Sequence, residues 1–149
     1  MRDMVNCSMR IILLLLLCVS PLYAKPHTPA VGSKERKDIL NAIRDPMEDV
    51  LRQEIIFRVG RLWVEDGWAF LLAEARTKED KPIDYSKTRY AGESESVDEG
   101  VVALLRYKRG RWYVVEKNLF QNDIWWGELW KEYDAPKALF ETGIKELDS

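Results

Sequence analysis

The sequence predicts an α+β fold in which an N-terminal helix packs on an antiparallel sheet of about four strands. Three observations carry this prediction: apolar residues recur at helical spacing over residues 34–52, and two pairs of β-rich runs follow, joined by Asp66-Gly67 and Arg109-Gly110. Asp-Gly between two such runs is a strong hairpin pattern, and Arg-Gly is a weaker one. A helix followed by two hairpins is typical of a helix that covers one face of an antiparallel sheet.

The first predicted element is a helix over about residues 34–52. Ser33 is of a type that caps helix N-termini, and the apolar positions recur every three or four residues at Ile39, Ile43, Met47, Val50 and Leu51. Pro46 interrupts this pattern, and Asp45-Pro46 has the form of a new helix start. The sequence therefore leaves two alternatives, one kinked helix or two short helices.

The first hairpin is predicted over residues 54–76. Counting back from a two-residue turn places Gly60 opposite Ala73, on a smooth face where we expect the helix to approach closely. The opposite face is expected to carry aromatic and apolar side chains mixed with charged ones. Its apolar members are predicted to be Phe57, Val59, Trp63, Trp68, Phe70 and Leu72.

A long polar loop over residues 77–99 separates the two hairpins. Connections longer than about 12–15 residues are uncommon and are often functional or disordered. The second hairpin is expected to place four side chains on one face, namely Leu105, Tyr107, Trp112 and Val114. Its turn end collects four basic residues, Arg106, Lys108, Arg109 and Arg111.

The C-terminal part of the sequence predicts a short aromatic helix that ends near Tyr133, with Asn122 or Asp123 as its cap and Pro136 beyond its end. Six tryptophans lie in the chain, and they admit two interpretations. In the first interpretation, the aromatic helix packs across the second sheet face, so that most of the tryptophans belong to the core. In the second, they form an exposed aromatic patch that serves as a homodimer face or as a groove for sugar or peptide.

The first 24 residues have the features of a cleaved signal peptide. An unbroken apolar run of about nine residues, from Ile11 to Val19, is too short to span a bilayer, and Ala24 offers a small residue for cleavage. We therefore expect a periplasmic or secreted protein with no membrane span after cleavage. The remainder would be a flexible leader over residues 25–33 and one α+β domain over residues 34–149.

Few of the residue types used in catalysis remain after this cleavage. Both cysteines would be removed, and the single histidine, His27, lies in the leader. Histidine- or cysteine-based triads and zinc sites therefore cannot be assembled, and we expect no catalytic residue, no metal and no cofactor. The net charge of −2 gives no reason to expect a nucleic-acid partner.

We therefore predict an exported, non-catalytic module that binds a protein or an envelope polymer, or pairs with a second copy of itself. Its candidate contact residues are the aromatic and basic side chains Trp63, Trp68, Phe70, Trp112, Trp126, Trp130, Arg106 and Arg111. The alternative is a small acid/base enzyme with a conical pocket, in which a carboxylate and a tyrosine such as Asp84 and Tyr85 act together.

Four sequence blocks resemble a group of small secreted bacterial proteins of unknown function. The blocks are RKDILNAIR, RLWVEDGWAFLLA, VVALLRYKRGRWYVVE and DIWWGELWKEYDAP, and they cover most of residues 34–140 apart from the long loop. The resemblance implies an exported domain with a helix-plus-sheet architecture similar to the cystatin-like and nuclear-transport-factor-like folds. The shared motifs are turn glycines and core aromatics, so the resemblance assigns no catalytic residue here.

Expression of the full chain in a bacterium tests the predicted processing. We expect the exported protein to begin at Lys25, because the apolar run and Ala24 supply what signal peptidase requires. N-terminal sequencing should read Lys-Pro-His, and Ala24→Arg should block the cleavage. An exported protein that still begins at Met1 would contradict the prediction.

Overall fold

The computed structural model describes residues 25–89, 91–92, 100–119 and 125–144. Along these ranges the chain forms α1 (Lys34–Leu51), β1 (Ile55–Glu65), β2 (Trp68–Thr77), β3 (Gly100–Lys108), β4 (Arg111–Leu119), α2 (Leu129–Tyr133) and α3 (Ala138–Ile144). Two 3-10 helices cover Tyr85–Lys87 and Trp125–Glu128. The predicted α+β class is confirmed. The predicted signal peptide and the cap residues Asn122 and Asp123 lie outside the described residues.

Helix α1 is one continuous helix that runs through Pro46. Ser33 caps its start, because its Oγ accepts a hydrogen bond of 3.2 Å from the backbone N–H of Arg36. Its end is closed by Arg52 in the left-handed conformation, whose N–H donates to the Glu48 carbonyl. The side that packs on the sheet consists of four fully buried residues at four-residue spacing, Ile39, Ile43, Met47 and Leu51.

The four strands form one antiparallel sheet in the order β1-β2-β3-β4. Two-residue turns join β1 to β2 and β3 to β4, and both residues of each turn have positive φ, at Asp66-Gly67 and Arg109-Gly110. This geometry suits the right-handed twist of a hairpin. Glu65 accordingly pairs with Trp68, and both predicted hairpins are present.

A β-bulge at Gly60 overturns part of the predicted register. Val59 pairs with Ala73 and Arg61 pairs with Leu72, so Gly60 is the extra residue and does not face Ala73. A Cβ at Gly60 would contact the Leu72 carbonyl oxygen at 3.6 Å, which is an ordinary distance. The expectation of a close helix approach at this glycine was therefore wrong.

The same bulge moves Phe57 and Val59 to the other face of the sheet. An extra residue shifts the alternation of side chains by one, so residues before Gly60 and residues after it follow different phases. Phe57 and Val59 pack with Leu62 and Val64 beneath α1. Their predicted place on the aromatic face was wrong because the prediction assumed an unbroken strand.

A second bulge lies between β3 and β4. Leu104 pairs with Glu116, whereas Leu105 pairs with Val114, which leaves Val115 as the extra residue. On the turn side of this bulge the predicted face is confirmed, since Leu105 lies opposite Val114 and Tyr107 lies opposite Trp112.

Both faces of the sheet are covered. The helix-side core joins α1 to inward residues of all four strands. The aromatic core lies on the other face, where Trp125–Glu128, α2 and α3 cover the sheet; its buried members are Phe70, Val102, Leu104, Trp126, Leu129, Ala135, Leu139 and Phe140. The Phe70 ring centroid lies 5.1 Å from that of Trp126 and 4.8 Å from that of Phe140. The sequence did not predict α3.

The first part of the predicted long loop packs against the end of α1. Gln53 Nε2 donates a hydrogen bond of 2.9 Å to the Asp84 carbonyl, and the backbone N–H of Asp84 donates one of 3.1 Å to Gln53 Oε1. Ile83 is buried in the helix-side core, and the N–H of Arg89 donates to the carbonyl of Val50. Residue 90 and residues 93–99 lie outside the described part of the chain.

The predicted leader is attached to the outer edge of β1. His27 and Val64 exchange two backbone hydrogen bonds, at 3.0 and 2.9 Å. Arg36 also donates to the carbonyl of Pro29 at 3.3 Å. These contacts join the leader to both β1 and α1.

Truncation of Ile43 tests the packing of α1. We expect Ile43→Ala to lower the free energy of unfolding by about 2–5 kcal/mol, because it removes a fully buried side chain and leaves a cavity. Asn41→Ala on the exposed side of the same helix should change it by less than about 0.5 kcal/mol. Urea denaturation measures both, and equal effects would contradict the packing described here.

Candidate functional site

The turn ends of the two hairpins bring four side chains into one row. Glu65 pairs with Trp68, Trp68 with Arg106, and Arg106 with Tyr113, so the row crosses all four strands. The partly buried Trp68 packs on the aromatic core, which places this row on the aromatic side of the sheet. We call these four residues the turn-end row.

Arginine guanidinium groups lie over aromatic rings along this side of the sheet. The Arg106 guanidinium carbon is 4.7 Å from the Trp68 ring centroid, and that of Arg111 is 4.5 Å from Tyr113. Arg61 lies 4.5 Å from the ring of Trp63 in the same manner. Such stacking holds a guanidinium in place by its attraction to the ring face.

Two lysine ammonium groups lie over the Trp130 ring, and each of them is paired with a carboxylate. The Lys131 and Lys137 ammonium nitrogens lie 5.4 and 5.3 Å from its ring centroid. Each lysine also pairs with a carboxylate at 2.5 Å, Lys131 with Glu128 and Lys137 with Glu141. The positive charge near Trp130 is therefore largely neutralised.

Three of the eight candidate contact residues are buried. Phe70 and Trp126 belong to the aromatic core, and Trp112 belongs to the helix-side core, where its ring centroid is 5.2 Å from that of Tyr107. The other five lie on the aromatic side or at the turn end, with part of their surface open to solvent: Trp63, Trp68, Trp130, Arg106 and Arg111. The structure thus brings Trp68, Arg106 and Arg111 together at one end and keeps Trp112 on the opposite face.

Uncompensated positive charge is concentrated at the end of the β3–β4 hairpin. Within the described residues, no carboxylate forms an ion pair with any of the four cations there, Arg106, Lys108, Arg109 and Arg111. Arg106 donates instead to the carbonyl of Asp66 at 2.7 Å, and Arg111 donates to the Tyr113 hydroxyl. By contrast, Arg89 at the far end pairs with Asp49 at 2.7 Å.

Glu65 is a buried acid in the turn-end row. Only 5% of the residue is exposed, and its Oε2 has no hydrogen-bond partner among the described residues. Burial raises the pKa of Glu65, and the negative charge of Asp66 raises it further. Orphaned buried carboxylate oxygens are rare in proteins, so this one calls for an explanation.

A hollow of about 450 Å³ lies beside Glu65 on the aromatic side. Glu65, Trp68 and Arg106 form one wall, and the connection between α2 and α3, residues 134–138, forms the other. We call it the turn hollow. The sequence did not reveal it, because its walls come from three distant parts of the chain that no local pattern links.

A second hollow of about 540 Å³ opens on the helix side of the same turn. Tyr107 and Trp112 line it together with Glu65 and the first turn of α1. Two ion pairs line it: His27 bonds Glu35 at 3.0 Å, and Lys34 pairs with Asp38 at 2.5 Å. The hydrogen bond to Asp38 raises the pKa of Lys34.

Asp84 and Tyr85 lie near the opposite end of the molecule, beside the end of α1. The Asp84 carboxylate accepts from the N–H and Oγ of Ser86, at 3.1 and 2.6 Å, and pairs with Lys87 at 3.2 Å. The Ser86 bond and Lys87 lower the pKa of Asp84. Tyr85 packs against the helix-side core. Asp84 therefore acts as an ionised helix cap.

A side-chain hydrogen bond fastens α2 to the sheet. The Tyr133 hydroxyl donates to Glu116 Oε2 at 2.8 Å, which raises the pKa of Tyr133 to about 12. The sequence could not show this pair, because the bulge at Val115 sets the phase that turns Glu116 toward the aromatic side.

The chain was compared with protein-family models, with curated proteins and with solved structures, and none of these comparisons gives a match. Among the described residues, none of the helices combines the length and the apolar character needed to cross a bilayer. In the same residues, no group of three or more His, Cys, Asp or Glu side chains is arranged to hold a metal ion.

Substitution of Glu65 tests its burial through the pH dependence of the free energy of unfolding. Because its pKa is raised in the folded protein, ionisation costs stability, and wild type loses free energy of unfolding as the pH rises from 4.5 through the folded pKa. We expect Glu65→Gln to have a higher free energy of unfolding than wild type at pH 7, and this difference to disappear below the ordinary pKa of glutamate. Urea denaturation across a pH series measures it.

The matched control for this experiment is Glu54→Gln. Glu54 carries the same charge on an exposed side chain that pairs with Lys78 at 3.0 Å. We expect this variant to be no more stable than wild type at pH 7. A Glu65→Gln curve that parallels wild type at every pH would show that Glu65 is solvated.

Proposed function

We propose that this chain is an exported, non-catalytic module that binds an anionic partner through the turn end of its second hairpin. One observation carries the proposal: four cations, Arg106, Lys108, Arg109 and Arg111, share this end without a carboxylate partner among the described residues. The chain as a whole has a net charge of −2, so this positive region is local. A local patch of one sign attracts partners of the opposite sign and orients them.

The aromatic rings support this proposal by fixing the positions of the arginines. Arg106 lies over Trp68 and Arg111 lies over Tyr113, so neither side chain has to be ordered when a partner binds. Arg106 uses one N–H for the Asp66 carbonyl and Arg111 uses one for the Tyr113 hydroxyl, and the other N–H groups can donate to carboxylate, sulfate or phosphate oxygens. The rings thus form a support for the charged surface rather than the surface itself.

The compartment narrows the choice of partner. The apolar run and Ala24 predict export, so we infer that the partner is an anionic polymer of the envelope or an acidic protein surface in the periplasm or outside the cell. A homodimer through this end would bring four unpaired cations of one copy against the same four of another. Like charges make that arrangement unfavourable, so we propose a different molecule as the partner.

The alternative, an acid/base enzyme, has one observation in its favour, the buried Glu65 with its raised pKa. A carboxylate and tyrosine mechanism needs both groups on one substrate. Side-chain alternation after Val64 directs Glu65 to the aromatic side, away from Tyr107, although both residues border the helix-side hollow. Tyr113 shares the turn-end row with Glu65, but β2 and β3 separate the two residues. The binding module is therefore the better proposal.

Removal of two of the four cations tests the proposed function. We expect Arg106→Gln combined with Arg111→Gln to weaken binding to dextran sulfate roughly ten-fold, because both guanidinium groups face the polymer. Surface plasmon resonance measures the affinity, and binding should weaken as salt increases. Poly-glutamate as a second probe separates acidic protein surfaces from sulfated polymers, and uncharged dextran should not bind.

The control is a double variant with the same change in charge at the other end, Lys78→Gln combined with Arg89→Gln. Both residues are exposed and pair with acids there. We expect its affinity to match wild type within about two-fold. If the two double variants lose affinity equally, net charge and not the hairpin end is responsible, and the proposal fails.

A further inference from the structure

We propose that the turn hollow is a binding site for a primary alkylammonium group, with Glu65 as its counter-ion. The site is independent of the anionic partner proposed above. That partner would contact the outer edges of Arg106 and Arg111, whereas this site lies in the turn hollow beside Arg106 and uses a buried carboxylate.

The carboxylate supplies the reason for a cationic ligand. Glu65 is 5% exposed, and its Oε2 lacks a hydrogen-bond partner among the described residues. A buried charge without a partner is costly, and the cost is removed when a donor of opposite charge arrives. The neighbouring group that acts on Glu65 through its charge is Asp66, which is also negative. Three carboxylates border the hollow against two cations, so its net charge favours a cation over a neutral hydroxyl group; the acids are Glu65, Asp66 and Asp134, and the cations are Arg106 and Lys137.

The walls of the turn hollow match an alkyl chain. Ala135, Pro136 and Ala138 supply aliphatic surface on one side, and the half-buried Trp68 supplies an aromatic surface on the other. An alkyl chain that enters between them buries apolar surface, and each methylene buried contributes favourably. The ammonium end then reaches the carboxylate while the chain remains among apolar atoms. A volume of about 450 Å³ accommodates a four-carbon chain.

The two cations at the rim do not neutralise Glu65. Arg106 is held over Trp68 and donates to the carbonyl of Asp66, and Lys137 lies over Trp130 and pairs with Glu141 at 2.5 Å. Neither forms an ion pair with Glu65. The charge that would balance Glu65 is therefore left for a ligand to supply.

Two sources could present this chemistry, a lysine side chain of a partner protein and a free alkylamine. Both offer a primary ammonium on a chain of methylenes. They differ at the far end of that chain, since a lysine carries a peptide backbone that must remain outside the hollow. Two probes therefore separate them, n-butylammonium chloride and the Nα-acetyl methylamide of lysine.

An NMR titration of the full mature protein at pH 7.5 tests the proposal. We expect n-butylammonium to shift the Trp68 indole N–H and the Glu65 carboxyl carbon in a saturable manner, with a Kd of roughly 1–10 mM, as suits a ligand of five heavy atoms. n-Butanol, which has the same chain without the charge, should bind at least about ten-fold more weakly. Binding of the lysine derivative as well would assign the site to a protein partner.

Two variants complete the test. Glu65→Gln should weaken n-butylammonium binding at least about ten-fold, and Glu54→Gln, an exposed carboxylate elsewhere, should leave it unchanged. Equal binding of n-butanol, equal binding by Glu65→Gln, or shifts that do not saturate would each overturn the proposal. The two proposals use different probes on the wild-type protein, n-butylammonium here and dextran sulfate above, so failure of one is distinguishable from failure of the other.

Discussion

The β-bulge at Gly60 determines which side chains of β1 enter each of the two cores. Before it, Phe57 and Val59 pack beneath α1; after it, Leu62 and Val64 do so. A strand without the extra residue would direct one of these pairs to the aromatic core and leave α1 without part of its packing surface. The bulge thus keeps the apolar side chains of both halves of β1 beneath α1, while the aromatic core is built on Phe70 of β2 and on Val102 and Leu104 of β3.

The positions of the two hairpin turns determine where the charged side chains of the hairpin ends lie. Each turn has two residues with positive φ, so each hairpin is tight. Both turns lie at the same end of the strands. Four cations of the second hairpin therefore lie beside the acidic turn of the first. The other ends of the hairpins are fastened by Gln53 and by pairs such as Arg89–Asp49, where charges are matched. The molecule thus has one end with neutralised charge and one end with free charge.

Local sequence patterns predicted the helix and the two hairpins. The features that the sequence did not predict depend on contacts between residues far apart in the chain. Asp66-Gly67 predicted the first hairpin and its turn-proximal pairs correctly, because a two-residue turn fixes register nearby. The predicted strand pairing was wrong beyond Gly60, since an isolated glycine in a strand is not sufficient to predict a bulge. The basic hairpin end was evident from four neighbouring residues. Glu65 was not singled out, because the hollow beside it is completed by residues 134–138, which reach it only in the folded chain.

The bridge between His27 and Val64 has a consequence for the edges of the sheet. An edge strand offers unpaired N–H and C=O groups on which another chain can add as a further strand. The leader occupies two of these groups on β1, so a neighbouring molecule cannot pair there without first displacing it. At the other edge, the bulge at Val115 interrupts the regular spacing of β4. Open-ended strand-to-strand polymerisation is thereby obstructed at both sides of the sheet.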